Sequence, residues 1–436
     1  MIIHVVEEGE TIDSIARLYG IPVERLVLAN GIRTSDALVV GETLVILIPE
    51  ILYTVQDGDT LESIAAAHNV SIFEILRNNP YLSVRRFIYP GEVIVIKYEG
   101  EKIGNIAING YAYPFIGINV LRQTLPFLTY LSVYAYYYNM NMQGAIININ
   151  DDELIRAARE YGVAPIMILT AQSESPMDEI ELTHNLLRNP SAQEQLIRNL
   201  INILNLKGYY GVDFTARYIE PEDRALYVEF IRKLSSRLRA EGFRTFITLS
   251  FNVFELLTNV FYEDLQLELL KDYVDNIIIL TYDLGITNIA PSVLAYDTVN
   301  NLLEKIISSI PSEKIIFGIS TIGYIWKLPY IEGVTTGQAI TYGLAMELAR
   351  EFNAVIQFDE VTKASYFRFY SDFEYIVRFR DARGINYALN SVSMYGIHGL
   401  GIWNIMYFFD QLWLVINSQY NIEKVLLFRG PDGVAM

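Results

Sequence analysis

The first hundred residues of this 436-residue chain say the same thing twice. His4-Val5-Val6-Glu7-Glu8-Gly9-Glu10-Thr11-Ile12 recurs as Tyr53-Thr54-Val55-Gln56-Asp57-Gly58-Asp59-Thr60-Leu61. Ser14-Ile15-Ala16 then matches Ser63-Ile64-Ala65, Asn30 matches Asn79, and Val40-Gly41-Glu42 matches Pro90-Gly91-Glu92. Self-similarity of this kind means one small supersecondary unit built twice. Each copy reads strand, helix, helix, strand. Thr11 and Thr60 stand where a helix N-cap belongs, just ahead of an apolar helical pattern. Gly41 and Gly91 mark turns into a closing apolar strand. The units are expected over residues 1–49 and 50–98. A short hinge, Tyr98-Glu99-Gly100-Glu101, should lead to the rest of the chain, residues 101–428.

That larger part alternates short apolar runs with helical stretches. Strands are expected near 105–111, 129–136, 164–170, 210–217, 244–251, 276–283, 314–321 and 398–404. Eight strands with helices between them predict an α/β fold, a (β/α)8 barrel. An open doubly wound sheet is the alternative, weakened because no glycine-rich phosphate loop follows the first strand. The stretch at about 327–385 is too long for one helix. It holds a helix and strand-like pieces such as residues 354–358, so it reads as a small α+β insertion between strands seven and eight.

Composition narrows the function. The net charge of −18 argues against nucleic acid or an anionic membrane as partner, because both repel an acidic surface. The absence of cysteine excludes disulfides and thiolate metal sites. The four histidines, His4, His68, His184 and His398, have no metal-ligand spacing, so neither metal nor cofactor is expected. The N-terminus lacks the basic start of a secretory signal, and no apolar run is long enough to span a bilayer. A chain made in the cytoplasm without a signal peptide is the expectation.

The repeat resembles the LysM module, which binds chains of N-acetylglucosamine in chitin or peptidoglycan. The resemblance places a shallow groove between the loop before the first helix and the loop after the second. Here that implies Gly9, Glu10, Thr11, Asn30 and Ile32 in one copy, and Gly58, Asp59, Thr60, Asn79 and Tyr81 in the other. Gly and Thr there also fit plain turn and cap geometry. The large part resembles glycoside hydrolase family 18, in the branch with N-terminal LysM modules that acts on bacterial spore cortex peptidoglycan. The matching segments are Asn109-Gly110-Tyr111 with Tyr113-Pro114-Phe115, Tyr134-Ala135-Tyr136, Lys207 to Val212, Leu280-Thr281-Tyr282-Asp283, Gly318 with Gly323-Tyr324 and Trp326, Asp381-Ala382-Arg383, and Gly399 to Trp403.

The resemblance implies substrate-assisted hydrolysis. The sugar's own acetamido oxygen attacks the anomeric carbon, a glutamic acid protonates the leaving oxygen, and an aspartate two residues earlier steadies the acetamido group. The family motif Asp-x-x-Asp-x-Asp-x-Glu falls here on Tyr210, Asp213, Thr215 and Arg217. Its i, i+2 steps put the side chains on one face of a strand, toward the barrel mouth. Arginine has no proton to give at neutral pH and no lone pair to take one. Threonine cannot stabilise an oxazolinium cation. Loss of a general acid alone costs on the order of 10²–10⁴ in rate. Ser320, Ile322, Ile325, Arg378 and Arg380 also depart from the family pattern.

Of the remaining acids, Glu220 opens the next helix and Asp283 ends the sixth strand beside Tyr282. The expected mouth residues are Asp213, Arg217, Tyr282, Asp283 and Trp403, with Arg217 paired to Asp283 or Asp213. Three functions compete. The first is a glycan-binding protein with a degenerate family 18 barrel, associated with the spore or cell envelope and meeting envelope or coat proteins there. The second is an active N-acetylglucosaminidase or chitinase-type hydrolase with a relocated acid. The third is a protein-interaction scaffold targeted by LysM.

Overall fold

The computed structural model describes residues 1–32, 37–85, 87–139, 145–148, 150–171, 176–215, 219–250, 267–280, 296–331 and 334–426. Each repeat forms the expected strand–helix–helix–strand unit. In the first, Ile2–Val5 pairs antiparallel with Thr43–Ile46 around the helices Ile12–Tyr19 and Val23–Asn30. In the second, Pro49–Thr54 pairs with Val93–Tyr98 around Leu61–His68 and Ile72–Asn78. The apolar faces of these short elements fill two small cores, centred on Ile15, Leu26 and Leu44 and on Ile64, Ile75 and Ile94.

The large part is a closed parallel barrel. Its strands are Gly104–Ala112, Tyr130–Asn139, Ala164–Ala171, Gly211–Thr215, Arg244–Ser250, Asn276–Leu280, Ile315–Ser320 and Gly399–Trp403. Each pairs in parallel with the next, and the first also pairs with the eighth, which closes the ring. The period of two sorts side chains by face. Ala107, Tyr130, Ile166, Phe246, Ile278 and Ile316 fill the interior, while Val212, Phe214, Ile247 and Ile279 pack outward on the helices.

The insertion is a five-stranded antiparallel sheet with the helix Tyr342–Glu351. It begins earlier than the sequence pattern indicates. The seventh barrel strand ends at Ser320, and Gly323–Lys327, with Tyr324 and Trp326, pairs instead with Gln338–Ile340 and Glu374–Phe379 inside the insertion. Near residues 354–358 the strand itself is Gln357–Asp359. Ala354 and Ile356 lie in the insertion's core. Apolar character alone does not distinguish the two.

The expected hinge gives way to a docked arrangement. One helix, Asp410–Gln419, receives both repeats. Gln411 accepts a hydrogen bond from the Thr43 hydroxyl at 2.9 Å and donates to the Thr43 carbonyl. Asn417 accepts from Arg77 at 3.2 Å and donates to Asn78 at 2.9 Å. The insertion adds the Ile356 amide, which donates to Val40 O at 2.9 Å, and Arg350, which donates to Ala37 O at 2.9 Å. Burial pushes the Arg77 guanidinium down to about 10 and the Lys424 amine well below its usual range. Lys424 donates to the carbonyls of Leu125 and Leu128, which satisfies a cation that would otherwise be costly to bury.

Gly41 and its repeat partner Gly91 report on this docking. Both have positive φ, +85° and +87°. A Cβ on Gly91 would meet nothing within 4 Å, but one on Gly41 would lie 2.0 Å from the Ile356 carbonyl oxygen. Gly91→Ala should therefore cost only the conformational term, about 1–2 kcal/mol. Gly41→Ala should cost more, because the first repeat must shift off the insertion. Parallel denaturant titrations of the two variants check this; equal losses would mean that the Gly41 contact contributes nothing to stability.

Candidate functional site

Functional groups of a parallel barrel gather where the strands end at their C-termini. On the fourth strand Asp213 and Thr215 point inward, two residues apart, and both are buried. Asp213 is fully buried. Thr248, on the neighbouring strand, donates its hydroxyl to Asp213 Oδ2 at 2.6 Å, and Thr215 donates to Oδ1 at 3.4 Å. Burial pushes the Asp213 carboxyl up to about 7, and the two hydroxyls offset part of that by favouring the charged form. Tyr210 lies at the opposite end of the strand. Its ring packs 6.4 Å from that of Tyr130, on the barrel floor and away from the mouth. Arg217, Tyr282 and Asp283 lie outside the described residues, as does the expected Arg217 ion pair.

Trp403 ends the eighth strand half-buried, at the centre of an aromatic group that spacing alone did not single out. Its ring centroid is 5.5 Å from Tyr111 and 6.0 Å from both Tyr113 and Tyr134. Tyr113 stacks on Phe115, which is 78% exposed. The alternation of Tyr111, Tyr113 and Phe115 at the end of the first strand is the signal that could have placed them on one face. Such a rim offers flat apolar faces to a sugar ring, with one acid of raised pKa beneath it.

Glu220 sits outside this group. Its carboxylate is 3.5 Å from His184 Nδ1. Asp223 is closer to that nitrogen, at 2.6 Å, and also pairs with Arg188 at 2.7 Å. Pro221–Asp223 forms a short 3₁₀ turn into the helix Arg224–Ala240, as the Glu-Pro-Glu-Asp spacing predicts. Among the described residues His184, Glu220 and Glu222 form one group whose ligand atoms lie within 4.8 Å of one another. The contacts of His184 with Asp223 and Glu220 tie the helix Pro176–Leu187 to the start of the helix Arg224–Ala240.

In both repeats the side chains of the expected groove do structural work. Thr11 accepts the Ser14 amide at 3.1 Å while Ser14 accepts the Thr11 amide at 2.9 Å, and Thr60 with Ser63 repeats this capping box. Asn30 donates to Leu26 O and Val45 O and accepts the Val45 amide; Asn79 does the same with Ile75, Val95 and Val95. Both are buried, and each locks its second helix to its closing strand. Glu10 accepts from the Glu7 amide and lies 2.8 Å from His4, and the Glu7 amide holds its carboxyl low. Asp59 matches it with the Gln56 amide and the Tyr53 hydroxyl. Gly9 and Gly58 supply positive φ at the turn, with open space around each. Gly31, just past the second helix, and half-buried Ile32 remain at the rim of the first repeat. In the second, Asn79 to Tyr81 face Arg25 of the first repeat and Phe408, Asp410 and Trp413 of the barrel part.

The family description "Glycosyl hydrolases family 18" matches residues 183–407, just over half of the chain, and the LysM description matches residues 4–47 and 53–97. The chain belongs to glycosyl hydrolase family 18. Its family 18 barrel, preceded by two LysM modules, has relatives of the same full-length plan. It is 28% identical over 434 residues to the cortical fragment-lytic enzyme of Bacillus subtilis (strain 168), covering 97% of this chain and 99% of that protein. It is 27% identical over 426 residues to the cortical fragment-lytic enzyme of Bacillus anthracis, covering 96% and 98%. The crystal structure of the spore cortex-lytic enzyme SleL of Bacillus cereus superposes with a TM-score of 0.78 at 27% identity, over 97% of this chain and 98% of that one. Among the described residues no helix is long and apolar enough to cross a membrane.

The raised pKa of Asp213 makes the mouth pH-sensitive. Its folded value, about 7, exceeds the unfolded value near 4, so the folded protein holds this proton more tightly. The resulting stability is complete below about pH 4 and is lost as pH rises through about 7. Asp410, pushed up to about 7 by burial, acts in the same direction. Asp213→Asn should remove the first contribution. Its melting temperature relative to the native protein should rise steadily between about pH 5 and pH 8. A difference that stays flat across that range would mean Asp213 is ionised throughout.

Proposed function

We propose that this protein binds N-acetylglucosamine-containing glycan of the spore or cell envelope, and that its family 18 barrel does not hydrolyse it. The carrying observation is the pair of residues at the two chemically essential motif positions. Thr215 stands in the fourth strand where the family needs the acetamido-orienting aspartate, and Arg217 stands at the position of the proton-donating glutamate. The remaining acid, Asp213, sits deep beneath the rim with its oxygens engaged by two threonine hydroxyls. A buried carboxyl with those partners can set the polarity of the floor, but it stands four positions before Arg217, where the family carries its proton donor. Glu220 is turned to His184, which argues against its serving as a relocated acid.

Binding keeps its parts. The aromatic rim around Trp403 can stack on pyranose rings. The LysM loops keep exposed turns at Gly9 and Gly58, with open space around each, and the exposed Gly31 with half-buried Ile32. The cortex-lytic relatives support peptidoglycan as the glycan and the spore as its place.

Two measurements test this reading. The purified protein should release no reducing sugar from chitin oligomers or from spore cortex fragments above background, and Thr215→Asp combined with Arg217→Glu should restore traces at most. Turnover that depends on Asp213 would overturn the non-hydrolytic assignment. In a sedimentation assay the full chain should pellet with insoluble peptidoglycan or chitin; protein left wholly in the supernatant would overturn the binding assignment.

A further inference from the structure

A cleft of about 230 Å³ opens between the first LysM module and the barrel part. Its walls come from three places. The LysM module supplies Asn30, Gly31 and Ile32, the loop expected to form one side of its glycan groove. The insertion supplies Gly343 and Glu347 from the helix Tyr342–Glu351. The barrel supplies Tyr407 and Asp410 from the connection that begins at Trp403 in the mouth. Tyr407 links the cleft to the mouth: its hydroxyl donates to the Thr321 carbonyl, and the Thr321 amide donates to the Trp403 carbonyl at 2.7 Å. Asp410 packs directly on Gly31: a Cβ there would fall 2.2 Å from Asp410 Oδ2.

We propose that this cleft is a distal glycan subsite, which takes one neutral N-acetylated sugar of a chain held at the same time by the first LysM module. The inference rests on the glycan-binding reading above and adds where the chain runs. The chemistry of the walls selects the ligand. Three carboxyl groups, of Glu347, Asp410 and the buried Glu42, line the cleft against one cation, Arg350, which lies 3.6 Å from Glu42; the excess of acid disfavours anionic ligands and leaves Glu347 and Asp410 as acceptors for sugar hydroxyls and acetamido N–H groups. Ile32, Tyr407 and Phe408, each half-buried, supply apolar surface for a ring face. The second module is placed differently. Its matching loop, Asn79 to Tyr81, faces a space of about 30 Å³, closed by Arg25, Phe408 and Trp413. The two modules are thus equal in sequence pattern and unequal in access.

Gly343 gives a clean test, because a Cβ there would meet nothing closer than the Thr341 hydroxyl at 3.9 Å and the position is exposed. Gly343→Trp should fill the cleft without disturbing the fold, and Gly343→Ala should leave it open. Calorimetric titration of the full chain uses the N-acetylglucosamine trimer and hexamer. The native protein and Gly343→Ala should bind the hexamer roughly ten-fold more tightly than the trimer, because the added sugars bind a second site already at hand. Gly343→Trp, with an unchanged melting temperature, should keep the trimer affinity and lose the hexamer advantage. A hexamer advantage that survives in Gly343→Trp, or that is absent from the native protein, overturns the distal subsite while trimer binding leaves the glycan reading standing. Failure of the native protein to bind either oligomer overturns both.

Discussion

The pairing of the first barrel strand with both the second and the eighth is the contact on which the rest depends. Closure pairs each of the eight barrel strands on both sides and brings their C-terminal ends to one rim. It also fixes where the eighth strand stops. From Trp403 the chain crosses the rim and enters the helix Asp410–Gln419, whose residues Gln411 and Asn417 hold the first and second LysM modules. Mouth, cleft and both modules are therefore placed by one strand–helix unit. The position of a module 300 residues away in sequence follows from ring closure and not from a linker.

The interior sets the chemistry of the mouth. A barrel core of alternating apolar side chains tolerates few charges, and the fourth strand places Asp213 among Tyr111, Thr215 and Thr248. Full burial raises its pKa, and the hydroxyls limit the rise. Above it, the half-buried rings of Tyr113, Tyr134 and Trp403 pack edge to face, with Trp403 resting on the buried Tyr111.

The LysM pair separates a sequence pattern from its use. Asn30 and Asn79 recur at equivalent places, which fits a ligand site as well as it fits a structural lock. The hydrogen bonds decide for the lock, because each amide spends its donors and acceptor on its own module's backbone. Glu10 and Asp59 likewise stabilise the turns before their helices.

Local rules made much of this protein legible from its residues alone. The repeat, the threonine caps, the eight strands and the insertion all rest on short-range periodicity, capping and turn chemistry, which act within a few residues. The family motif that the sequence places on Asp213, Thr215 and Arg217 is local too. Tertiary structure decided what joins distant residues. Gly323 to Lys327 left the barrel strand for the insertion's sheet because antiparallel partners at Gln338–Ile340 and Glu374–Phe379 were available there. The expected hinge became an interface because Gln411, Asn417 and Ile356 satisfy polar groups of both modules. Gly31 meets Asp410, and one module faces an open cleft while its twin is closed off. The two repeats carry the same pattern, so only the surfaces packed against them could make them differ.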